Sequence, residues 1–120
     1  KAGGMASWPT ELKLDKDKSV LTVSFDDGAQ FALPAELLRV LSPSAEVQGH
    51  SPEQRVTVPG KENVCIQKLE PVGTYAVRIT FDDGHNTGLY VWDYLRDLGE
   101  NHEARFRSYL NELAEKGLSR

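Results

Sequence analysis

Hydrophobic and polar positions alternate in two stretches of this chain. In TYAVRITF, one face of the predicted strand carries Tyr75, Val77, Ile79 and Phe81. In SVLTVSF, the corresponding face carries Leu21, Val23 and Phe25. A period of two residues is typical of a β-strand with one buried face. The pattern therefore predicts two half-buried strands, each of which ends in phenylalanine.

The tetrapeptide Phe-Asp-Asp-Gly closes both strands, beginning at Phe25 and again at Phe81. Asp-Gly between extended segments is a strong hairpin signal, because a type I′ turn needs positive φ at both central residues. We therefore predict structural turns at Asp27–Gly28 and Asp83–Gly84, with positive φ at each glycine. The alternative is a pair of acidic sites for a metal ion or for acid–base chemistry, but neither segment has the further acidic residues of a calcium loop.

Each turn is followed by a short apolar segment and then by Leu-Arg-x-Leu. The first copy reads AQFALP and AELLRVL, and the second reads HNTGLYV and WDYLRDL. These segments predict a returning strand and a short helix in both copies, with one residue of slippage between them. The order strand, turn, strand, helix thus occurs twice, either as a recurrent construction or as a true duplication.

The remaining segments complete an antiparallel fold. ELKLD predicts the first strand, and VCIQKLEPVG predicts another before Gly73. Between the two copies, the region from Ser42 to Asn63 is rich in proline and glycine and predicts a long loop, with one short strand at Arg55–Val58. We expect the part from Ser44 to Glu62 to be the most mobile internal segment.

A C-terminal helix is predicted after the second copy. Asn101 can cap it, Gly117 can stop it, and its apolar positions fall at helical spacing at Phe106, Tyr109, Leu110 and Leu113. The fold class is therefore α+β: mainly antiparallel β, with short helices after two FDDG hairpins and a C-terminal helix. We assign residues 1–8 to an expression-tag remnant and disordered N-terminus, 9–99 to one domain and 100–120 to the C-terminal helix.

Composition narrows the class of protein. The chain has 120 residues, 39% of them hydrophobic and 27% charged, with a net charge of −4. Scattered basic residues and an acidic balance disfavour a nucleic-acid binder. One cysteine cannot form an intramolecular disulfide, and no apolar run is long enough to span a membrane. We expect a cytoplasmic monomer that contacts neither nucleic acid nor membrane.

Other candidates for chemistry have simpler interpretations. The histidines are His50, His85 and His102, and no pair has the helical spacing of a zinc protease. Cys65 lies on a predicted strand, where a lone thiol is usually an inert core residue. Trp8, Trp92 and Tyr94 are typical of core or edge packing rather than of a ligand cage.

Two strings of residues resemble a known family. LRVLSPSAEVQGH and EPVGTYAVRITFDDGHNTGLYVWDYLRDL, within roughly residues 9–98, are similar to the small N-terminal domain of gamma-butyrobetaine hydroxylase, which also stands alone in many bacteria. In the hydroxylases this domain precedes an iron and 2-oxoglutarate catalytic domain, whose His-x-Asp motif and length are missing here. The resemblance therefore implies a domain without the enzyme. Related domains are fused to Mrp-type ATPases of iron–sulfur assembly, which suggests a pathway only by analogy.

The resemblance also implies a degenerate metal site. In the hydroxylases the domain holds a structural zinc through three cysteines in a Cys-x-Cys-x-x-Cys cluster and the histidine of Asp-Gly-His. The corresponding positions here are Ser42, Ser44, Val47 and His85. Serine and valine do not supply the thiolates of a tetrahedral zinc site, so the resemblance implies that the zinc site is lost. A substitute metal site built from His50, His85 and Cys65 is the alternative.

Two classes of function follow. The first is a non-catalytic binding or adaptor domain with an unknown protein partner, linked to metal or iron–sulfur metabolism, which needs no cofactor. The second is a zinc- or iron-binding protein, or an accessory subunit of an oxygenase-like system. The chain has no nucleophile paired with a base and no cofactor fingerprint, so we do not expect an enzyme.

Overall fold

A computed structural model describes residues 8–49 and 55–120. The described residues form two three-stranded antiparallel sheets and four helices, which confirms the α+β class. The first sheet has the order β1 (Pro9–Leu14), β2 (Val20–Phe25), β3 (Gln30–Pro34), and the second has the order β4 (Ile66–Val72), β5 (Ala76–Phe81), β6 (Leu89–Val91). The helices are α1 (Ala35–Val40), α2 (Ala45–Gln48), α3 (Trp92–Glu100) and α4 (His102–Glu115).

The alternation predicts β2 well and β5 with one exception. Leu21, Val23 and Phe25 are all buried in β2. In the second stretch, Tyr75 precedes β5 and is 53% exposed, whereas Ala76 is fully buried. The prediction for Tyr75 is therefore wrong, because this residue still belongs to the turn after β4 and the strict alternation begins only at Val77.

Both Asp-Gly segments are turns with positive φ at glycine, 89° at Gly28 and 92° at Gly84. The type I′ prediction is wrong, because neither preceding aspartate has positive φ. In the first turn, the Phe25 amide donates to the Ala29 carbonyl and the Gly28 amide donates to the Phe25 carbonyl. This pattern is that of a three-residue loop, in which a type I turn is followed by a glycine bulge. The second turn has the same bonds.

The short helices α1 and α3 start directly from the ends of β3 and β6. Their N-cap residues, Pro34 and Val91, have extended φ and ψ and make no side-chain cap. Helix α3 packs against β3 of the first sheet, where the Gly99 backbone contacts the Phe31 ring so closely that a Cβ would lie 2.4 Å from it. The second copy therefore places its helix on the first sheet.

The region between the copies differs from the predicted loop. It contains α2, whose N-cap Ser44 accepts a hydrogen bond from the Glu46 amide. No strand forms at Arg55–Val58, although the Val56 amide donates to the Val47 carbonyl. Val47 and Thr57 are buried, so both arms of this region pack on the domain. The predicted mobility of this region stays a prediction, and His50 lies outside the described residues.

Helix α4 ends as predicted but begins differently. The Leu118 amide donates to the Leu113 carbonyl and the Gly117 amide to the Ala114 carbonyl, with φ 67° at Gly117, which is a Schellman motif. Asn101 makes no side-chain cap for α4 and instead bonds Asp97 of α3. Tyr109 and Leu113 are buried, whereas Leu110 is 37% exposed.

Both sheets and three of the helices contribute to one buried cluster. Its members are Leu21, Val23, Phe25, Leu33, Ala35, Leu37, Leu38, Val40, Leu41, Val64, Ile66, Val77, Ile79, Phe81, Tyr90, Leu95, Leu98, Tyr109 and Leu113. A backbone bond from Ile66 N to Lys18 O, 2.8 Å long, links β4 to the β1–β2 turn. The shared core fixes the second Asp-Gly turn against the residues that follow α1.

Candidate functional site

The predicted site residues Ser42, Ser44, Val47 and His85 lie on two segments of the chain. The first is the stretch from the end of α1 through α2, and the second is the turn after β5. Two tyrosines hold the first segment in place, since the Tyr90 hydroxyl donates to the Leu38 carbonyl at 2.6 Å. The Tyr94 hydroxyl donates to the carbonyl of Leu41 in the same way.

A chain of side-chain hydrogen bonds crosses this junction. Ser42 Oγ lies 2.9 Å from His85 Nε2, and His85 Nδ1 lies 3.1 Å from Glu46 Oε1. The Ser44 and Thr87 hydroxyls are 2.6 Å apart, and the Ser44 amide donates to Ser42 Oγ. We call Ser42, Ser44, Glu46, His85 and Thr87 the serine–histidine cluster. It joins the segment after α1 to the second turn and the residues that follow it through hydrogen bonds between polar side chains.

A glycine makes this close approach feasible. A Cβ on Gly88 would lie 2.5 Å from Ser42 Oγ and 3.1 Å from the Tyr90 ring. Heavy atoms do not approach so closely without displacement, so the backbone before β6 can pass Ser42 only if residue 88 lacks a side chain.

Burial lowers the pKa of His85, and the positive charge of Arg39 lowers it further. The carboxylates of Glu46 and Asp83 oppose this shift without reversing it. His85 is only 7% exposed. The lowered pKa favours a neutral imidazole, which accepts at one ring nitrogen and donates at the other.

Asp83 lies beside the cluster and binds two cations. Its Oδ2 is 2.7 Å from Arg39 Nε and 2.6 Å from Lys61 Nζ, while its Oδ1 accepts the His85 amide. Burial alone raises the pKa of Asp83, but the hydrogen bonds from Lys61, His85 and Arg39 outweigh burial and hold the pKa well below its usual range. The carboxylate therefore stays charged and positions the turn that carries His85.

The order serine, histidine, glutamate resembles a catalytic triad, but access for a substrate is missing. Ser42 is fully buried, and its hydroxyl already accepts from the Ser44 amide. A nucleophile has to reach an external electrophile, together with donors for the developing oxyanion. The arrangement can hold the two segments together, and nucleophilic chemistry does not follow from it.

The donors present do not fit the zinc site that the family implies. The hydroxyls of Ser42 and Ser44 are engaged by His85 and Thr87, and Val47 has no donor atom. Structural zinc sites are closed by thiolate and imidazole ligands. Within residues 8–49 and 55–120, no group of three or more His, Cys, Asp or Glu side chains is placed to hold a metal ion.

The other predicted residues are elsewhere. Cys65 is partly exposed just before β4, and its thiol faces the Asn63 carbonyl at 3.7 Å. Asp27 lies at the first turn, where Arg96 binds it. Sequence reasoning missed Glu46, Thr87 and Arg39. Only Arg39 carried a signal, because the repeated Leu-Arg-x-Leu marks an arginine in each copy.

An open groove of about 500 Å³ lies between α3, α4 and the end of α2. Its lining mixes charged, polar and apolar side chains: Leu41, Gln48, Arg55, Asp97, Asn101, Ala104, Arg105, Ser108 and Tyr109. Arg55 pairs with Glu112, and Arg105 pairs with Asp97. None of the helices described is long and apolar enough to cross a membrane.

Comparison with known sequences defines the class of protein. The sequence model described as "Gamma-butyrobetaine hydroxylase-like, N-terminal" matches residues 12–96. This match covers well over half of the chain, so the chain belongs to that family. No curated protein matches the chain significantly.

Solved structures of similar proteins have the same fold. An NMR solution structure is 44% identical, with a TM-score of 0.82 over 97% of this chain and 91% of the other. A second NMR structure is 47% identical, with a TM-score of 0.82 over 100% and 89%. A crystal structure of a protein of unknown function from Acidithiobacillus ferrooxidans ATCC 23270, a member of the DUF971 family, is 40% identical, with a TM-score of 0.63 over 76% and 91%.

Proposed function

We propose that this chain is a non-catalytic binding domain that recognises a protein partner through the groove between α3, α4 and the end of α2. The observation that carries the proposal is the contrast between two places. Ser42, Ser44 and His85, at the centre of the serine–histidine cluster, are buried, whereas the groove is open and lined by apolar and hydrogen-bonding side chains. Binding sites are typically clefts in which apolar side chains are combined with a few polar groups that orient the ligand.

The groove has features that suit a polypeptide. Leu41 and Ala104 supply apolar contact, while Gln48, Asn101 and Ser108 supply donors and acceptors. Its arginines are already oriented by carboxylates, so they can take part in further hydrogen bonds without losing charge balance. A partner with both backbone polar groups and small apolar side chains would match this lining.

The experiment compares two arginine substitutions on α4. Ala104→Arg places a long side chain in the groove, whereas Ala114→Arg places it at another exposed position of the same helix. Affinity capture from the native bacterium, performed anaerobically, should retain a partner with wild type and with Ala114→Arg but lose it with Ala104→Arg. Equal retention by all three proteins would contradict binding at the groove.

The link to metal or iron–sulfur metabolism rests on the resemblance to domains fused to Mrp-type ATPases. It is tested in the same capture by identifying the retained proteins and their metal content together. A partner without any role in metal or cluster handling would remove this part of the proposal and leave the binding role intact.

The alternative, a zinc- or iron-binding protein, has one observation in its favour, since Ser42, at one of the family's ligand positions, lies 2.9 Å from His85 Nε2. The donors themselves do not fit. Gently purified protein should therefore hold far less than one metal ion per chain, and a chelator should leave its melting curve unchanged. The triple variant Ser42→Cys, Ser44→Cys, Val47→Cys should bind zinc and melt at a higher temperature, and adding His85→Ala to it should abolish both effects.

A further inference from the structure

A second hollow, of about 230 Å³, lies on another part of the surface. It is lined by Trp8, Tyr75, Val91, Trp92 and Asp93, which we call the aromatic hollow. Three of these residues are among the large hydrophobic side chains left exposed: Trp8 by 48%, Tyr75 by 53% and Val91 by 40%. Scattered exposed hydrophobic residues are ordinary, but a cluster drawn from three separate segments calls for a reason.

The backbone holds two of the rings in position. The Trp92 indole N–H donates to the Thr74 carbonyl at 2.9 Å, which fixes the first side chain of α3 over the β4–β5 turn. In that turn Gly73 has φ 55°, and a Cβ there would lie 3.2 Å from the Tyr75 ring. The Tyr75 ring therefore packs directly on a glycine backbone, and the hollow is organised before any ligand arrives.

The third ring offers a hydrogen-bond donor. The Trp8 carbonyl accepts from the Asp26 amide at 2.9 Å, which anchors this residue beside the first turn. Its indole N–H has no hydrogen-bond partner among the residues that the structure describes. An exposed indole supplies both a flat apolar face and one donor.

The charge at the rim indicates which ligand fits. Asp93 is exposed, and among the described residues of the lining it is the one that carries a charge. A complementary ligand therefore combines apolar groups that stack on flat rings with a neighbouring cation. Extended proline-rich segments supply the apolar part, since their rings stack on aromatic side chains and their backbone carbonyls stay free to accept hydrogen bonds, and a basic residue beside the prolines supplies the cation.

We propose that the aromatic hollow binds an extended, proline-rich segment of a partner protein that carries a basic residue beside the prolines. The proline rings stack on Trp8, Tyr75 and Trp92, a backbone carbonyl accepts from the Trp8 indole, and the basic side chain pairs with Asp93. The polyproline conformation exists before binding, so little ordering entropy is lost at this shallow surface. The proposal does not require that the groove beside α4 binds anything.

The test uses a short synthetic peptide in which Pro-x-x-Pro is followed by arginine. On titration, the indole N–H signals of Trp8 and Trp92 in the NMR spectrum should shift in a saturable way. Trp8→Ala should weaken binding by about tenfold, as expected when one aromatic anchor is lost. Asp93→Asn should weaken it by about threefold and reduce its dependence on salt.

Two controls make the result specific. Leu110→Ala removes an exposed hydrophobic side chain outside the hollow and should leave the affinity unchanged. A peptide with glutamate in place of arginine should bind more weakly to wild type than to Asp93→Asn. Absence of saturable shifts, or equal affinity for the two peptides, would overturn the proposal. Indole shifts that depend on protein concentration without peptide would also overturn it, because the hollow would then be a self-association surface.

Discussion

The turn at Phe25–Ala29 and the turn at Phe81–His85 share a backbone but differ in their surroundings. In each, the first aspartate amide bonds a carbonyl just before the preceding edge strand, Trp8 in one case and Cys65 in the other. In each, the second aspartate accepts the amide two residues later. A register irregularity follows the first pair of both edge strands. The two turns therefore share these backbone and aspartate hydrogen bonds.

The arginines of the two Leu-Arg-x-Leu segments are exchanged between the copies. Arg96, from the second copy, binds Asp27 in the first turn at 2.9 Å. Arg39, from the first copy, binds Asp83 in the second turn at 2.7 Å. Each helix thus stabilises the turn of the other copy. The two copies form a reciprocal pair within one chain, and neither turn is completed by its own helix.

The difference lies in burial and in the number of partners. Asp27 has a side chain 38% exposed, and Arg96 lies over the Phe25 and Phe31 rings while also pairing with Glu100. The Asp83 side chain is 18% exposed and is bound by Lys61 as well as Arg39, whose Nη1 is buried without a partner among the described residues. The second turn therefore depends more strongly on its aspartate.

The largest expected effect separates the two aspartates. Asparagine preserves the turn but removes the charge, so Asp83→Asn leaves two cations uncompensated in a mostly buried place. Since the pair retains some contact with water, we expect a loss of about 2 kcal/mol in the free energy of unfolding. Asp27→Asn should lower the free energy of unfolding by clearly less than Asp83→Asn does. Urea denaturation of both variants measures the difference, and equal losses would refute it. Turn chemistry alone predicts a mild effect for both changes, because asparagine suits the same turn as aspartate.

Gly88→Ala should be the next most damaging change, because its Cβ would displace Ser42 from the serine–histidine cluster. We expect a loss of about 1.5 kcal/mol, typical of overpacking. Ala32→Ser, at an exposed position of β3 in the first copy, is the matched control and should change little. If Gly88→Ala melts at the same temperature as wild type, the backbone at residue 88 has room for a side chain beside Ser42, and the prediction fails.

Substitutions of the two turn glycines should have the same effect in both copies, unlike substitutions of the aspartates. Gly28 and Gly84 have nearly the same φ, and a Cβ on either would meet nothing within 4 Å. Alanine at each position therefore suffers backbone strain alone, about 1 kcal/mol in both cases. Thermal unfolding of the two single variants measures this. A marked inequality would show that the environment, and not only φ, determines the cost.

The smallest expected effect is a dependence on pH that only the second turn has. The pKa of His85 is lowered in the folded state, so the unfolded chain binds the proton more readily and the stability falls as the pH drops below about 6.5. Ala29 occupies the corresponding position in the first turn. Chemical denaturation at a series of pH values should therefore give a slope that His85→Gln reduces. Below about pH 4, Asp83 adds a second loss as its lowered pKa is approached.

Short-range sequence signals predicted much of the fold. Alternation identified β2 and β5, Asp-Gly identified both turns, and Gly117 identified the end of α4, because each depends on neighbouring residues. The errors were also local. A type I turn with a glycine bulge and a type I′ turn both place glycine at positive φ, so the sequence signal did not separate them. Helix α2 was missed because four residues give no helical period, and a proline precedes its cap.

The sequence by itself determined the class of fold, the repeated unit and the presence of His85 and two serines at the family's ligand positions. Tertiary structure alone decided what these residues do. Ser42 and His85 are 43 positions apart, Arg39 and Asp83 are 44 apart, and Arg96 and Asp27 are 69 apart. Residues so far apart in sequence meet only because the shared core packs the two copies together. Their burial, their pKa values and the pairing of each arginine with the other copy's turn therefore depend on tertiary packing, which short-range sequence patterns do not indicate.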